Sequence, residues 1–138
     1  MRVLLDTNII LDFFLEREPF FNHASKLFDA IADRKIEGFI TASSITDIFY
    51  ICRRQTQNFE EARQILETTL ALLSICPVDR DILETALKSS LADFEDAVQI
   101  ACAEAQSLEV IITRNSQDFQ TANIPVMSAS QLREQLKD

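Results

Sequence analysis

Aspartates that border apolar stretches are the residues of this chain best suited to chemistry. Asp6 directly follows the apolar residues 3–5, and Asp118 follows the apolar residues 110–112 after a short polar segment. Carboxylates beside apolar sequence are costly to desolvate and repel one another when they converge, whereas a hard cation such as Mg²⁺ or Mn²⁺ offsets both effects. The pattern therefore indicates metal-dependent hydrolysis of a phosphodiester. Four aspartates form the predicted catalytic set: Asp6, Asp47, Asp96 and Asp118.

These acids also have ordinary structural explanations. Aspartate is a favoured helix cap, so Asp6 could cap the helix that follows it, and Asp93 could cap the helix that carries Asp96. Asp96 nevertheless shares a helical row with Ile100, which places it near the border of a core-facing surface and favours a functional role. Glu95 is predicted to point elsewhere, toward the surface.

Predicted strands and helices alternate along the chain. This alternation predicts a single three-layer α/β domain over residues 1–138, with a central parallel sheet of about five strands and helices on both faces. In such folds ligands bind beyond the carboxyl ends of the strands. Asp6 and Asp118 each follow a predicted strand, as active-site carboxylates should. The predicted strands are residues 2–5, 39–41, 74–78, 110–113 and 124–127.

Turn and cap residues set the expected boundaries of these elements. Pro19 suits the first turn of the second helix. Gly38 is expected to mark a break in the chain just before the second strand begins. Ser43 or Ser44 is the expected cap of the following helix, which places Asp47 in about its first turn.

Composition excludes several classes of function. Gly38 is the only glycine, so neither the dinucleotide-binding nor the P-loop pattern can be written in this chain. The net charge of −9 argues against tight, non-specific binding of nucleic acid by the lone chain. No apolar run approaches the ~20 residues of a membrane span, and no signal peptide is evident, so we expect a cytoplasmic protein. His23 is expected at the surface, and three cysteines are expected in the core: Cys52, Cys76 and Cys102.

Taken together, the motifs resemble those of the PIN domain, a nuclease fold that includes many toxins of bacterial toxin–antitoxin pairs of the VapBC type. The resemblance covers nearly the whole chain. It runs from Asp6-Thr7-Asn8, through Asp47, to the segment 96–101 and finally to Thr113-Arg-Asn-x-x-Asp-Phe119. What it implies is a Mg²⁺- or Mn²⁺-dependent ribonuclease on a five-stranded parallel sheet, with RNA as substrate, an antitoxin protein as partner and the capacity to form a homodimer.

The resemblance also implies roles for individual residues. The four aspartates match the family's acidic quartet, with metal ligands at Asp6, Asp96 and Asp118. Many relatives have glutamate where this chain has Asp47, and the shorter side chain could alter the distance to a metal. Because Asp93 and Glu95 lie near Asp96 in sequence, the identity of the third acid stays open. The resemblance implies supporting polar groups at Thr7, Asn8, Thr113 and Asn115. From the residues themselves we also expect a supporting role for Asp93 and a phosphate contact by Arg114.

Other functional classes fit the residues less well. A receiver-type phosphorylation domain would have an acidic pair after strand one and a lysine after a late strand, where this chain has Asp6-Thr7-Asn8 and Arg114. A dehalogenase-type phosphatase would have aspartate in place of Asn8. The remaining alternative is a non-catalytic domain of the same fold that binds a metal or a partner protein.

Overall fold

The computed structural model describes residues 1–137 and places five parallel strands at the centre of the molecule. The strand order is β3-β2-β1-β4-β5, with every neighbouring pair parallel. β1 therefore lies at the centre of the sheet, and the carboxyl ends of all five strands share one edge. The strands are β1 Arg2–Leu5, β2 Glu37–Thr41, β3 Ser74–Cys76, β4 Val110–Ile112 and β5 Val126–Met127.

Helices cover both faces of this sheet. Because successive side chains of a strand point to opposite faces, Val3 and Leu5 join one apolar core while Leu4 joins another. The first core includes residues from α1–α4 and α7, and the second includes residues from α5 and α6. The predicted three-layer α/β fold is confirmed. The helices are α1 Thr7–Phe14, α2 Phe21–Ala32, α3 Ala42–Thr56, α4 Phe59–Leu72, α5 Arg80–Leu87, α6 Phe94–Ala105, α7 Ala129–Gln135 and the 3₁₀ helix Ser116–Phe119.

Three boundary predictions are wrong. Pro19 lies before α2, which begins at Phe21. Gly38 lies inside β2, where an added Cβ would come within 2.9 Å of the Ile31 Cδ1 atom, so lack of a side chain at this position serves close packing of the sheet against α2. The cap of α3 is Thr41, whose Oγ1 accepts a hydrogen bond from the Ser44 backbone N–H.

Other local expectations agree with the structure in part. β3 lies at an edge of the sheet and is shorter than predicted, because it ends at Cys76, immediately before Pro77. β5 is shorter than predicted and comprises Val126–Met127. His23 is exposed, and the three cysteines are buried and free. Over residues 1–137, the helices all fall short of the length and apolar character that crossing a bilayer would demand.

Candidate active site

A depression of about 240 Å³ lies at the carboxyl edge of the sheet, where β1 passes into α1. Residues from α1, α3 and α6 meet there. α1 follows β1, α3 follows β2 and α6 precedes β4, and these three strands are neighbours in the sheet. Most of its polar lining is acidic. The lining residues are Asp6, Thr7, Asn8, Leu11, Asp47, Ile51, Asp93, Glu95, Asp96 and Gln99.

Asp6 is the buried carboxylate of this depression, with 6% of its surface exposed. It occupies the N-cap position of α1, but its side chain makes no capping hydrogen bond. Its Oδ2 instead accepts a hydrogen bond of 2.8 Å from the Thr113 hydroxyl, and its Oδ1 accepts one of 3.2 Å from the Gln99 side-chain amide. Neutral donors from α6 and from the residue just after β4 thus orient both oxygens, and no cation of the described chain forms an ion pair with Asp6.

Asp96 lies in the first turn of α6, close to the other acids. As predicted, Asp93 caps this helix, and its Oδ1 accepts a hydrogen bond of 3.1 Å from the Asp96 backbone N–H. The pKa of Asp96 is raised from 3.8 to about 7, first by burial and then by the nearby charges of Asp93, Asp6, Asp118 and Glu95, in that order. Carboxylates from separate elements are therefore near enough to Asp96 to oppose its ionisation.

Glu95 points into the depression, so the prediction of a surface side chain is wrong. Its Oε1 accepts hydrogen bonds of 3.2 Å from the Ser44 hydroxyl and 3.4 Å from the Ser43 hydroxyl, both on the first turn of α3. The Thr7 hydroxyl donates to the Ser44 oxygen at 2.8 Å, which links Glu95 to α1. Burial raises the pKa of Glu95, the Ser44 hydrogen bond opposes that rise, and Asp47 adds to it.

The other two predicted acids lie at the rim. Asp47 is exposed on α3 and lines the depression. Asp118 is exposed on the 3₁₀ helix and does not line the depression, although its charge contributes to the raised pKa of Asp96. The Asp118 backbone N–H donates to the Asn115 carbonyl at 2.9 Å, and the Asn115 N–H donates to the Thr113 hydroxyl at 3.1 Å.

Arg114, the predicted phosphate contact, lies outside the depression. Its Nε atom is 3.1 Å from the Asp12 Oδ2 atom, and its guanidinium carbon is 4.0 Å from the centre of the Phe20 ring. The predicted supporting residue Asn8 lines the depression, and its side-chain oxygen accepts a hydrogen bond of 3.4 Å from Arg17. The structure therefore places Asn8 among the acids of the depression, whereas the Arg114 guanidinium lies outside it, against Asp12 and Phe20.

Comparison with known proteins decides the family. The family model described as "PIN domain" matches residues 2–117. The chain belongs to the PIN domain family. The resemblance indicated by the sequence motifs is thereby confirmed.

Several known proteins are similar to this PIN domain along most of its length. Ribonuclease VapC1 of Aquifex aeolicus (strain VF5) is 21% identical over 138 residues, which cover 96% of this chain and 94% of the relative. The structure of FitAcB from Neisseria gonorrhoeae is 19% identical with a TM-score of 0.69, covering 93% of this chain and 98% of that chain. A toxin–antitoxin complex from Klebsiella pneumoniae is 26% identical with a TM-score of 0.66, covering 92% and 97% of the two chains.

Three polar residues of this PIN domain were missed by sequence reasoning. Gln99 is 1% exposed and orients Asp6, and Ser44 is fully buried and binds Glu95. Asp12 is fully buried on α1 beside two arginines. The available signal was a polar side chain within an apolar helical stretch, because a buried polar group requires a partner. Gln99 lies between Val98 and Ile100 in such a stretch.

The donor chemistry of the depression fits a hard divalent cation, because its charged lining residues are all carboxylates. The raised pKa values of Asp96 and Glu95 show that these groups lack positive charge close by. Over residues 1–137, however, no three His, Cys, Asp or Glu side chains are already gathered into a group that could hold a metal ion. The acids surround a common space without their oxygens converging to coordination distance.

Proposed function

We propose that this PIN domain is a metal-dependent endoribonuclease, and that it is the toxin of a toxin–antitoxin pair. The observation that carries the proposal is the set of acids at the carboxyl edge of the sheet, where burial and then the charges of neighbouring acids raise the pKa of Asp96 to about 7. Family membership supports nuclease chemistry, and the similarity to a protein named ribonuclease VapC1 supports RNA as substrate.

Asp6, Asp96 and Asp118 are the proposed ligands of Mg²⁺ or Mn²⁺. Such an ion supplies an activated water for attack on the scissile phosphate and offsets charge on the leaving oxygen. Asp6 presents a fixed carboxylate because Thr113 and Gln99 hold both of its oxygens. Asp47 completes the proposed catalytic set at the rim of the depression.

Polar groups around the acids have supporting roles in this proposal. Asp93 fixes the first turn of α6 and hence the backbone at Asp96. Thr7 orders the hydroxyl chain that binds Glu95, and Glu95 is a further acid that the sequence left open. Asn8 and Asn115 offer amide groups near the acids, whereas a phosphate contact by Arg114 would require its guanidinium to reach past Asp12.

The proposed setting follows from the same similarities. An antitoxin partner is supported by the similarity to a toxin–antitoxin complex, and a homodimer is proposed from the resemblance to toxins of this type. We also propose a cytoplasmic location and one domain over residues 1–138. The last point is supported by β5, which pairs with β4, and by α7, which packs on α2.

The test is cleavage of single-stranded RNA in Mn²⁺ by wild type, with EDTA and Asp96→Asn as parallel controls. A matched variant, Glu67→Gln, neutralises an exposed acid of α4 away from the depression. Cleavage by wild type and Glu67→Gln, lost in EDTA and in Asp96→Asn, is the expected result. Cleavage that persists in Asp96→Asn would contradict the proposed site.

The second candidate function is binding of a metal or a partner protein without catalysis. In the described part of the chain no three acids are already gathered to hold a metal, which favours binding of a partner protein over catalysis. The two functions separate in one comparison. Mn²⁺ binding without cleavage of any RNA in a mixed pool would favour the binding function, and Mn²⁺-dependent cleavage would exclude it.

A further inference from the structure

A second acidic residue of α1, Asp12, is completely buried and lies between two arginines. Its Oδ2 atom is 3.1 Å from Arg114 Nε, and its Oδ1 atom is 3.9 Å from Arg17 Nη1. The ring of Phe20 covers the Arg114 guanidinium at 4.0 Å. Asp12 does not line the acidic depression, so the site described above does not use this residue directly.

Both arginines lead from Asp12 to residues of the depression. Arg114 directly follows Thr113, whose hydroxyl binds Asp6, and it begins the segment that contains Asn115 and Asp118. On the other side, the Arg17 guanidinium donates through the same Nη1 atom to the Asn8 side-chain oxygen at 3.4 Å. One buried carboxylate therefore contacts the side chains that hold two separate parts of the site.

We propose that Asp12 is a positioning residue that fixes the segment 113–118 through Arg114 and the Asn8 side chain through Arg17. The significance of those positions for catalysis rests on the proposed function, whereas the ordering of the segment does not. Asp12 would thus act on the geometry of Asp6, Asn8 and Asp118 without contacting metal or RNA.

The contacts of Asp12 argue against a role in stability alone. The Arg114 Nε–H is not aimed at the Asp12 carboxylate, so both Asp12 oxygens and this nitrogen lack a hydrogen-bond partner among the described residues. Burial raises the pKa of Asp12, and the charges of Arg114 and then Arg17 oppose that rise only in part. A buried pair of this kind contributes little net stability compared with apolar residues, so its orientation of neighbouring segments is the more useful property.

Amide hydrogen exchange of the full chain tests this proposal without any need for catalysis. Asp12→Asn keeps the shape of the side chain and removes its charge. We expect the exchange rates of the Asn115 and Asp118 amides to rise by on the order of tenfold. This is the size of effect on local opening that follows when contacting residues lose their interaction. Arg114→Gln should give a similar increase in residues 114–119. Exchange in this segment should be little faster in the double variant than in either single variant, because both changes break the same contact.

Thr69→Val is the matched control. Thr69 is fully buried on α4, and its hydroxyl bonds only to the Ile65 carbonyl at 2.8 Å. Faster exchange confined to residues 114–119 in Asp12→Asn, and absent there in Thr69→Val, would support the proposal. Unchanged exchange in that segment, or an increase spread evenly over the chain as in Thr69→Val, would overturn it. If wild type cleaves no RNA, the proposed function fails while this exchange result still decides the role of Asp12.

Discussion

Asp6 and Asp12 are two buried acids close together in the chain, and their side chains have different kinds of partner. Asp6 is held by the Thr113 hydroxyl and the Gln99 amide, which are neutral donors. Asp12 lies against the guanidinium groups of Arg114 and Arg17. Both carboxylates are almost inaccessible to solvent, so the difference lies in their partners rather than in their depth.

The comparison separates an acid available for chemistry from one used to hold the structure. Neutral donors orient Asp6 but bring no positive charge to it, and its charge adds, after burial and Asp93, to the raised pKa of the neighbouring Asp96. The arginines beside Asp12 offset part of its charge, so it attracts a further cation less than Asp6 does. An acid held by neutral donors is thus the better candidate for a metal ligand.

The largest expected effect is the loss of RNA cleavage in Asp6→Asn, compared with Asp12→Asn. Removing a metal ligand should lower kcat by about 10³-fold or more, whereas removing a group that acts through others should cost about 10–100-fold. Single-turnover cleavage in Mn²⁺ measures both. An equal or larger loss in Asp12→Asn would remove the distinction between the two acids.

Thr113→Val is expected to have the next largest effect. The change keeps the shape of the side chain but removes the donor to Asp6 Oδ2 and the acceptor of the Asn115 N–H. Cleavage should fall by about 10–100-fold, and the free energy of unfolding by about 1–3 kcal/mol, because a buried carboxylate loses a partner. Urea denaturation and cleavage rates provide the two measurements. Full activity in this variant would show that the orientation of Asp6 does not depend on the hydroxyl.

Asp96 should make stability depend on pH in a chelated buffer. Its pKa is about 7 in the fold against an ordinary value of 3.8, so between these values the folded chain retains a proton that the unfolded chain has released. The free energy of unfolding should therefore fall as pH rises through this window. Asp96→Asn should be more stable than wild type above pH 7, by about 1–2 kcal/mol after allowance for solvent screening.

Denaturation of both proteins across that pH range measures the difference. It should shrink toward zero as pH falls below the ordinary pKa of aspartate, where wild-type Asp96 is protonated in both states. A difference that does not vary with pH would show that Asp96 does not sit among uncompensated acids.

The smallest expected effect concerns the hydroxyls around Glu95. Ser44→Ala removes the 3.2 Å hydrogen bond to Glu95 and the acceptor for the Thr7 hydroxyl, which should lower stability by about 1 kcal/mol. Ser43→Ala removes the weaker 3.4 Å contact to Glu95 and a 3.1 Å contact with the Thr41 hydroxyl, and it should cost less because Ser43 is only partly buried. Thermal denaturation of the two variants measures both losses of stability. Equal losses would mean that Ser44 has no central place in the hydroxyl chain.

Much of the fold and part of the site were predictable from local sequence. Alternating apolar strands and amphipathic helices predicted the parallel sheet, and Asp6 was placed correctly because it directly follows the apolar strand β1. The cap of α3 was not predicted correctly. Thr41, Ser43 and Ser44 are all good cap residues, and only the exact end of β2 selects among them.

Features that depend on contacts between distant segments could not be predicted. Glu95 points inward because the first turn of α3 supplies two hydroxyls, and nothing near position 95 in the sequence indicates this. The pairing of Asp12 with Arg114 likewise joins α1 to the segment after β4. Such contacts follow from strand order, which puts β1 beside β4, rather than from the neighbours of each residue.

The central claim, that uncompensated acids at the carboxyl edge of the sheet bind a divalent cation, is tested most directly by calorimetric titration with Mn²⁺. Wild type and Asp96→Asn would be compared with Asp81→Asn, which neutralises an exposed acid on α5. We predict saturable binding to wild type and Asp81→Asn, weakened by about tenfold or more in Asp96→Asn. Equal binding to all three proteins, or no binding to wild type, would contradict the claim.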